Sequence, residues 1–150
     1  MLLIIDNGSI YTKNLIDFLN EKKISFEKQT PELLDLKSLD NYNSFILSGR
    51  RKNEKKTNEI GTIRKLTFPQ KGTEKINIQR ENPLSNDNLQ VFESHGFEIS
   101  KLPNILLVIG ESKNCKFEII QYDKKLIFGT QFHPEMSDDG QNLIQKFCSL

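Results

Sequence analysis

The sequence predicts an α/β fold: a mostly parallel sheet at the start and an antiparallel, β-rich second half. Three observations predict it. The chain opens on a continuous apolar run, "MLLIID", closed by Asp6-Asn7-Gly8, which is the pattern of a buried parallel strand ending in a turn. One amphipathic helix and two further short strands follow at the spacing of an open α/β sheet. Beyond residue 60, short strand-like runs succeed one another with no helix between them, so several must pair as antiparallel hairpins.

Taken in order, "SIYTKNLIDFLNEKK" places Tyr11, Leu15, Phe18 and Leu19 on one helical stripe, with Ser9 available as N-cap. "ISFEKQ" reads as a strand, followed by a polar connection with a helical turn and a second buried strand, "SFILSG". The β-rich half offers six candidate strands: "GTIRKLTF", "EKINIQ", "LQVFES", "NILLVIGES", "KFEIIQY" and "KLIFGTQF". A last helix starts at Ser137 as N-cap, with Asp138 and Asp139 suited to its dipole and Leu143, Ile144 and Phe147 on its buried face. With 150 residues, no internal repeat and no linker, the chain reads as one domain, 1–150, with a single core.

Composition excludes several classes. The net charge is +1, so neither nucleic acid nor an anionic membrane is an expected partner. No run approaches the ~18–20 apolar residues of a membrane-spanning helix, and the opening run is too short for a signal peptide, so a cytoplasmic location is expected. Cys115 and Cys148 are far apart and lack metal-type spacing, so no disulfide framework, no metal site and no cofactor is expected. Charge is uneven: residues 50–75 hold nine Lys or Arg against three Glu. The densest stretch, "RRKNEKKTNE" at residues 50–59, has no apolar residue and reads as a solvated loop, or else as a basic contact surface.

The chemistry-bearing stretch is "LIFGTQFHPEMS". His133 with Glu135 two residues on forms two parts of a catalytic triad, a base and the carboxylate that orients it, with Pro134 stiffening the link. "GTQFHPE" followed by "GQNLIQKF" resembles the C-terminal signature of class I glutamine amidotransferases. "LLIIDNGSIYTKNLIDFL" and "FILSG" are similar to that family's opening strand, helix and glycine loop. "VFESHGFEISKLP", with "ESKNCKFEII" behind it, most resembles the amidotransferase subunit of GMP synthase; the anthranilate synthase type is a weaker match.

The resemblance implies a flavodoxin-like (Rossmann-like) sheet and a glutaminase site. In that family a cysteine on a strand-to-helix elbow attacks the glutamine amide, a histidine takes the thiol proton, and a glutamate orients the histidine. By resemblance His133 is the base and Glu135 the orienting group, while Ser48 and Gly49 fall on the loop that supplies oxyanion donors. That loop lacks its second glycine, because Arg50 and Arg51 follow. His95 corresponds to a region facing the partner synthetase, although its own residues read equally as a polar loop contact, and the acid expected after Gly96 is absent.

The nucleophile is missing. The interval where a G-x-C-x-G elbow belongs is occupied by residues 50–59, with neither apolar strand nor cysteine. Cys115 sits in a loop-like "SKNC", and no G-x-S-x-G surrounds Ser48. His133 and Glu135 are therefore read as vestigial triad members on a shortened amidotransferase fold. Loss of a central strand calls for closure by "TIRKLTF" or for a homodimer. Three readings follow: an inactive amidotransferase-like protein that binds a partner or ligand; an active subunit hydrolysing glutamine to feed a synthetase-type partner; or a repurposed hydrolase using His133.

Overall fold

The structure, a computed structural model, describes residues 1–49 and 62–150. It divides into two compact units, residues 1–55 and 56–150. Residues 50–59, where the elbow is read as missing, lie outside the described residues.

The first unit holds a three-stranded parallel sheet of order β2-β1-β3, from β1 (Leu2–Ile5), β2 (Phe26–Gln29) and β3 (Ser44–Leu47). Leu2 stands opposite Phe26 on one side and Ser44 on the other. The central strand is the most apolar and the most buried, with Leu3 and Ile4 wholly inaccessible, as the continuous run "LLII" requires. Parallel pairing demands a crossover, and α1 (Thr12–Glu21) supplies it, burying Leu15, Phe18 and Leu19 of the expected stripe, while Tyr11 stands at the N-cap and is only half-buried. Two 3-10 turns, Pro31–Leu33 and Leu36–Asn41, make the polar connection to β3.

Ser9 does not cap α1. The N-cap is Tyr11, with no side-chain cap bond. The Ser9 hydroxyl instead accepts the Tyr11 amide at 3.1 Å, a local two-residue turn that holds the serine two residues ahead of the N-cap.

The second unit is a five-stranded antiparallel sheet of order β5-β4-β6-β7-β8. Its strands are β4 (Thr62–Ile78), β5 (Leu89–Lys101), β6 (Leu106–Glu111), β7 (Ile119–Tyr122) and β8 (Phe128–Thr130). Two candidate strands, "GTIRKLTF" and "EKINIQ", prove to be parts of one 17-residue strand. The turn signals between them are absorbed as an irregularity: Lys65 faces Phe97 and Gln70 faces His95, so residues 66–69 bulge out opposite Gly96. Pro69, which cannot donate to a ladder, sits inside that bulge. Residues 62–65 pair with β5, so "TIRKLTF" does not close the parallel sheet; its partner is the strand that follows it in the chain.

One apolar core holds this unit together, built from Ile76, Leu89, Val91, Ile109, Ile119 and Phe132, with Leu84 and Leu143 joining it. Each such buried side chain contributes about 1.5–3 kcal/mol. Helix α2 (Asp138–Phe147) behaves as its sequence requires. The Ser137 hydroxyl accepts the Gly140 amide at 3.3 Å, Asp138 and Asp139 occupy the first turn, and Leu143 and Ile144 are buried.

Candidate functional site

The site is built at the junction of β8 and α2. Phe132 is 2 % exposed and inserts into the core, which fixes the backbone one residue before His133. The His133 amide donates to the Phe92 carbonyl of β5 at 2.9 Å, forming an antiparallel bridge beyond the end of β8. A 3-10 turn, Pro134–Met136, follows at once, because proline with its fixed φ starts such a turn readily. Its Met136 amide closes on the His133 carbonyl at 3.1 Å.

This turn folds Glu135 back under His133. Nδ1 of His133 lies 3.2 Å from Oε1 of Glu135, and the two side chains are 19 % and 11 % exposed. A carboxylate only accepts, so Nδ1 is the donor, and Nε2 of the neutral ring is left as the basic nitrogen. The arrangement is that of a base whose tautomer and orientation are fixed by a neighbouring acid.

The turn is held from the helix side as well. Gln141 Nε2 donates to the Glu135 carbonyl at 3.2 Å. Gly140 lies so close to Pro134 that a Cβ there would stand 2.3 Å from the Pro134 carbonyl oxygen. Asp139 Oδ2 accepts the Gln90 amide at 2.7 Å, tying the first turn of α2 to β5.

Ser48 and Gly49 belong to the first unit, just past the end of β3. The Ser48 amide donates to the Ile5 carbonyl at 3.0 Å, its hydroxyl accepts the Asn7 amide at 2.9 Å, and Asn7 Nδ2 donates to its carbonyl at 2.8 Å. Asp6 sits in the same network, accepting from the Gly8 amide and the Thr12 hydroxyl, both at 3.0 Å. Burial works against its charge, but those bonds and Lys28 outweigh it and hold its carboxyl below the usual range. These groups stand at the carboxyl ends of parallel strands, where open α/β sheets place ligands.

The cysteines are poor nucleophiles where they stand. Cys115 is 2 % exposed, and burial together with the Glu118 carboxyl pushes its thiol up to about 12. Burial also raises the Cys148 thiol. Since thiolate is the attacking species, neither has appreciable reactive form near neutral pH.

His95 lies inside β5, not in a loop. Its Nδ1 is 2.9 Å from the Phe97 carbonyl, and its side chain is 9 % exposed beside Glu93. Sequence reasoning missed what surrounds it: Glu93, Glu98 and Glu118 are 1 %, 4 % and 0 % exposed. A signal was available for the first. Glu93 continues the inward alternation of Leu89 and Val91, so a strand register places it in the interior.

Among the described residues, no His, Cys, Asp and Glu group is arranged to hold a metal ion, and no helix is long and apolar enough to cross a membrane. Comparison with known proteins agrees with the geometry of the HPE turn. The family model for class I glutamine amidotransferases matches residues 62–149. The chain is 27 % identical over 95 residues to a subunit of the glutamine-hydrolyzing GMP synthase of Methanococcus vannielii, covering 60 % of this chain and 50 % of that protein. It is 34 % identical over 80 residues to the glutamine-hydrolyzing GMP synthase of Brucella melitensis, covering 48 % of this chain and 16 % of the relative. The chain thus spans half or less of the length of these curated relatives.

Two solved structures share the fold. A GMP synthase subunit homologue from Thermoplasma acidophilum superposes with a TM-score of 0.84 at 19 % identity, covering 99 % of this chain and 92 % of that one. PurLQS from Thermotoga maritima gives a TM-score of 0.75 at 14 % identity, covering 99 % and 96 %. With its parallel and antiparallel sheets, its oriented His133 and a family match over more than half its length, this chain belongs to the class I glutamine amidotransferases.

Proposed function

We propose that this chain is a GMP-synthase-subunit-like amidotransferase domain, residues 1–150, that has lost glutaminase activity and acts in the cytoplasm by binding a partner. One observation carries the reading: the His133–Glu135 pair keeps the geometry of a base and its orienting acid, while the thiols of buried Cys115 and half-buried Cys148 are both pushed up, away from the reactive thiolate. A base without a thiolate to serve completes no acyl transfer. Ser48 and Gly49 are read as the remnant of the oxyanion loop, and His95 as part of the side that meets a partner. That partner is a synthetase-type protein, a role supported by the synthase assemblies named among the relatives, or a second copy of the chain.

The test is direct. The protein is incubated with an electrophilic glutamine analogue and weighed, and ammonia release from glutamine is followed with and without a GMP-synthetase-type subunit. No adduct and no ammonia are expected. An adduct on Cys115, with turnover abolished by His133→Ala, overturns the reading in favour of an active glutamine-hydrolysing subunit. Retained turnover of another amide or ester, lost in His133→Ala without any cysteine adduct, establishes a repurposed hydrolase instead. Sedimentation with and without the synthetase subunit distinguishes the two partners.

A further inference from the structure

The second unit contains a cluster of side chains that the HPE turn does not use, with buried glutamates at its centre and the largely exposed Arg64 at its edge. From β4 comes Arg64; from β5 come Glu93, His95 and Glu98; from the segment between β6 and β7 come Ser112, Cys115 and Glu118. Arg64 is matched to Glu98, with Nε and Nη2 at 2.7 and 2.6 Å from the same carboxyl oxygen. His95 is matched to Glu93, with Nε2 at 2.9 Å from Oε2. Glu118 faces Glu93 and His95 and has no cation of its own.

Both carboxyl oxygens of Glu93 and both of Glu118 are buried without a well-directed hydrogen bond, the close His95 contact included. Four such acceptors together, with His95 Nε2 beside them as the one other unsatisfied buried side-chain atom among the described residues, require an explanation. Two facing carboxylates cannot bond each other, since both only accept. One added proton converts the pair into a donor and an acceptor and removes the uncompensated charge. The same proton balances the whole group: Arg64 against Glu98, protonated His95 against the remaining negative charge, and one neutral acid.

We propose that Glu93 and Glu118 form a buried proton-binding site, in which the two carboxyls share one proton at neutral pH beside a protonated His95. The direction of each titration agrees. Burial, together with Glu93, pushes Glu118 up to about 8. Burial opposes charge on His95, but Glu93 outweighs it and raises the imidazole above its usual value.

Two main-chain bonds connect this site to the HPE turn. The Glu118 carbonyl accepts the Gln131 amide at 2.8 Å, and Phe92, next to Glu93, accepts the His133 amide at 2.9 Å. Loss of the proton therefore places two like charges between the segments that hold both ends of the Gln131–His133 stretch. Both folded pKa values lie above the unfolded ones. The stability they provide is complete below the unfolded values and is lost as pH rises through the folded ones.

The experiment measures the proton and its consequence together. Infrared difference spectra of the folded protein near neutral pH should show the C=O stretch of one protonated carboxylic acid, absent in Glu118→Gln. The melting temperature of the wild type should drop by about 5 °C or more between about pH 6 and about pH 9, and that of Glu118→Gln by less than half as much. The amide of that variant can donate to Glu93 at every pH, in place of the shared proton. Glu93→Gln provides the same comparison from the other side if the first variant does not fold. Absence of the acid band, or equal pH slopes in wild type and variants, overturns the proposal. So does stabilisation near pH 8 by ammonium but not tetramethylammonium chloride, which assigns the orphaned oxygens to a small cation.

Discussion

Two histidines in this chain each have a glutamate two residues away, and the structure uses the two pairs in opposite ways. In the first, Glu93 and His95 lie on one strand, whose period of two places both side chains on the interior face. The contact is through Nε2 at 2.9 Å, and the side chains are 2 % and 9 % exposed. In the second, His133 and Glu135 straddle a proline-started turn, touch through Nδ1 at 3.2 Å, and are two to several times more exposed. The same spacing yields a buried charge pair in a strand and an oriented base at a strand end. Backbone conformation, not residue spacing, decides which.

That contrast is open to test. The largest effect is expected at Cys115, beside the buried pair. With its thiol pushed up to about 12, alkylation near neutral pH should be roughly a thousandfold slower in the folded protein than in urea, followed by mass spectrometry of the modified peptide. Gly140→Ala strikes the other pair. A Cβ 2.3 Å from the Pro134 carbonyl cannot be relieved by a side-chain rotation, so urea unfolding should show a loss of about 3 kcal/mol.

The two histidines are then compared by the same substitution. His95→Gln removes the cation facing buried Glu93 and is expected to cost about 2 kcal/mol, diminishing as pH rises through the raised value of His95 and the wild-type imidazole loses its charge. His133→Gln breaks a partly solvated pair and is expected to cost under about 1 kcal/mol. Equal costs in the two variants would abolish the distinction drawn between a structural and a chemical pair.

Sequence alone conveyed the second pair and concealed the first. "QFHPE" is legible because its spacing, proline and following helix cap act locally, and Ser137 caps α2 as its position indicates. The central strand and the stripe Leu15, Phe18 and Leu19 are legible for the same reason, since apolar periodicity records burial directly. Ser9 misled because a hydroxyl three residues before a helix can be captured by a nearer amide. The bulge at residues 66–69 misled because proline and glycine mark a bulge as readily as a turn. Glu118 was beyond reach: its burial depends on a register between β6 and β7 that no local pattern states.

The long pairing of β4 with β5 also carries a consequence for how the chain assembles. Ile76 meets Leu89 across a connection of about ten residues, and the ladder extends from there to the pairing of Thr62 with Lys101. Closing that loop costs little entropy, whereas bridging Phe92 to His133 waits on a loop of some forty residues. Folding is thus expected to begin in this hairpin, with φ-values there exceeding those of substitutions around Pro134. The motif by which the family is recognised is then fitted, late in folding, onto a scaffold already standing.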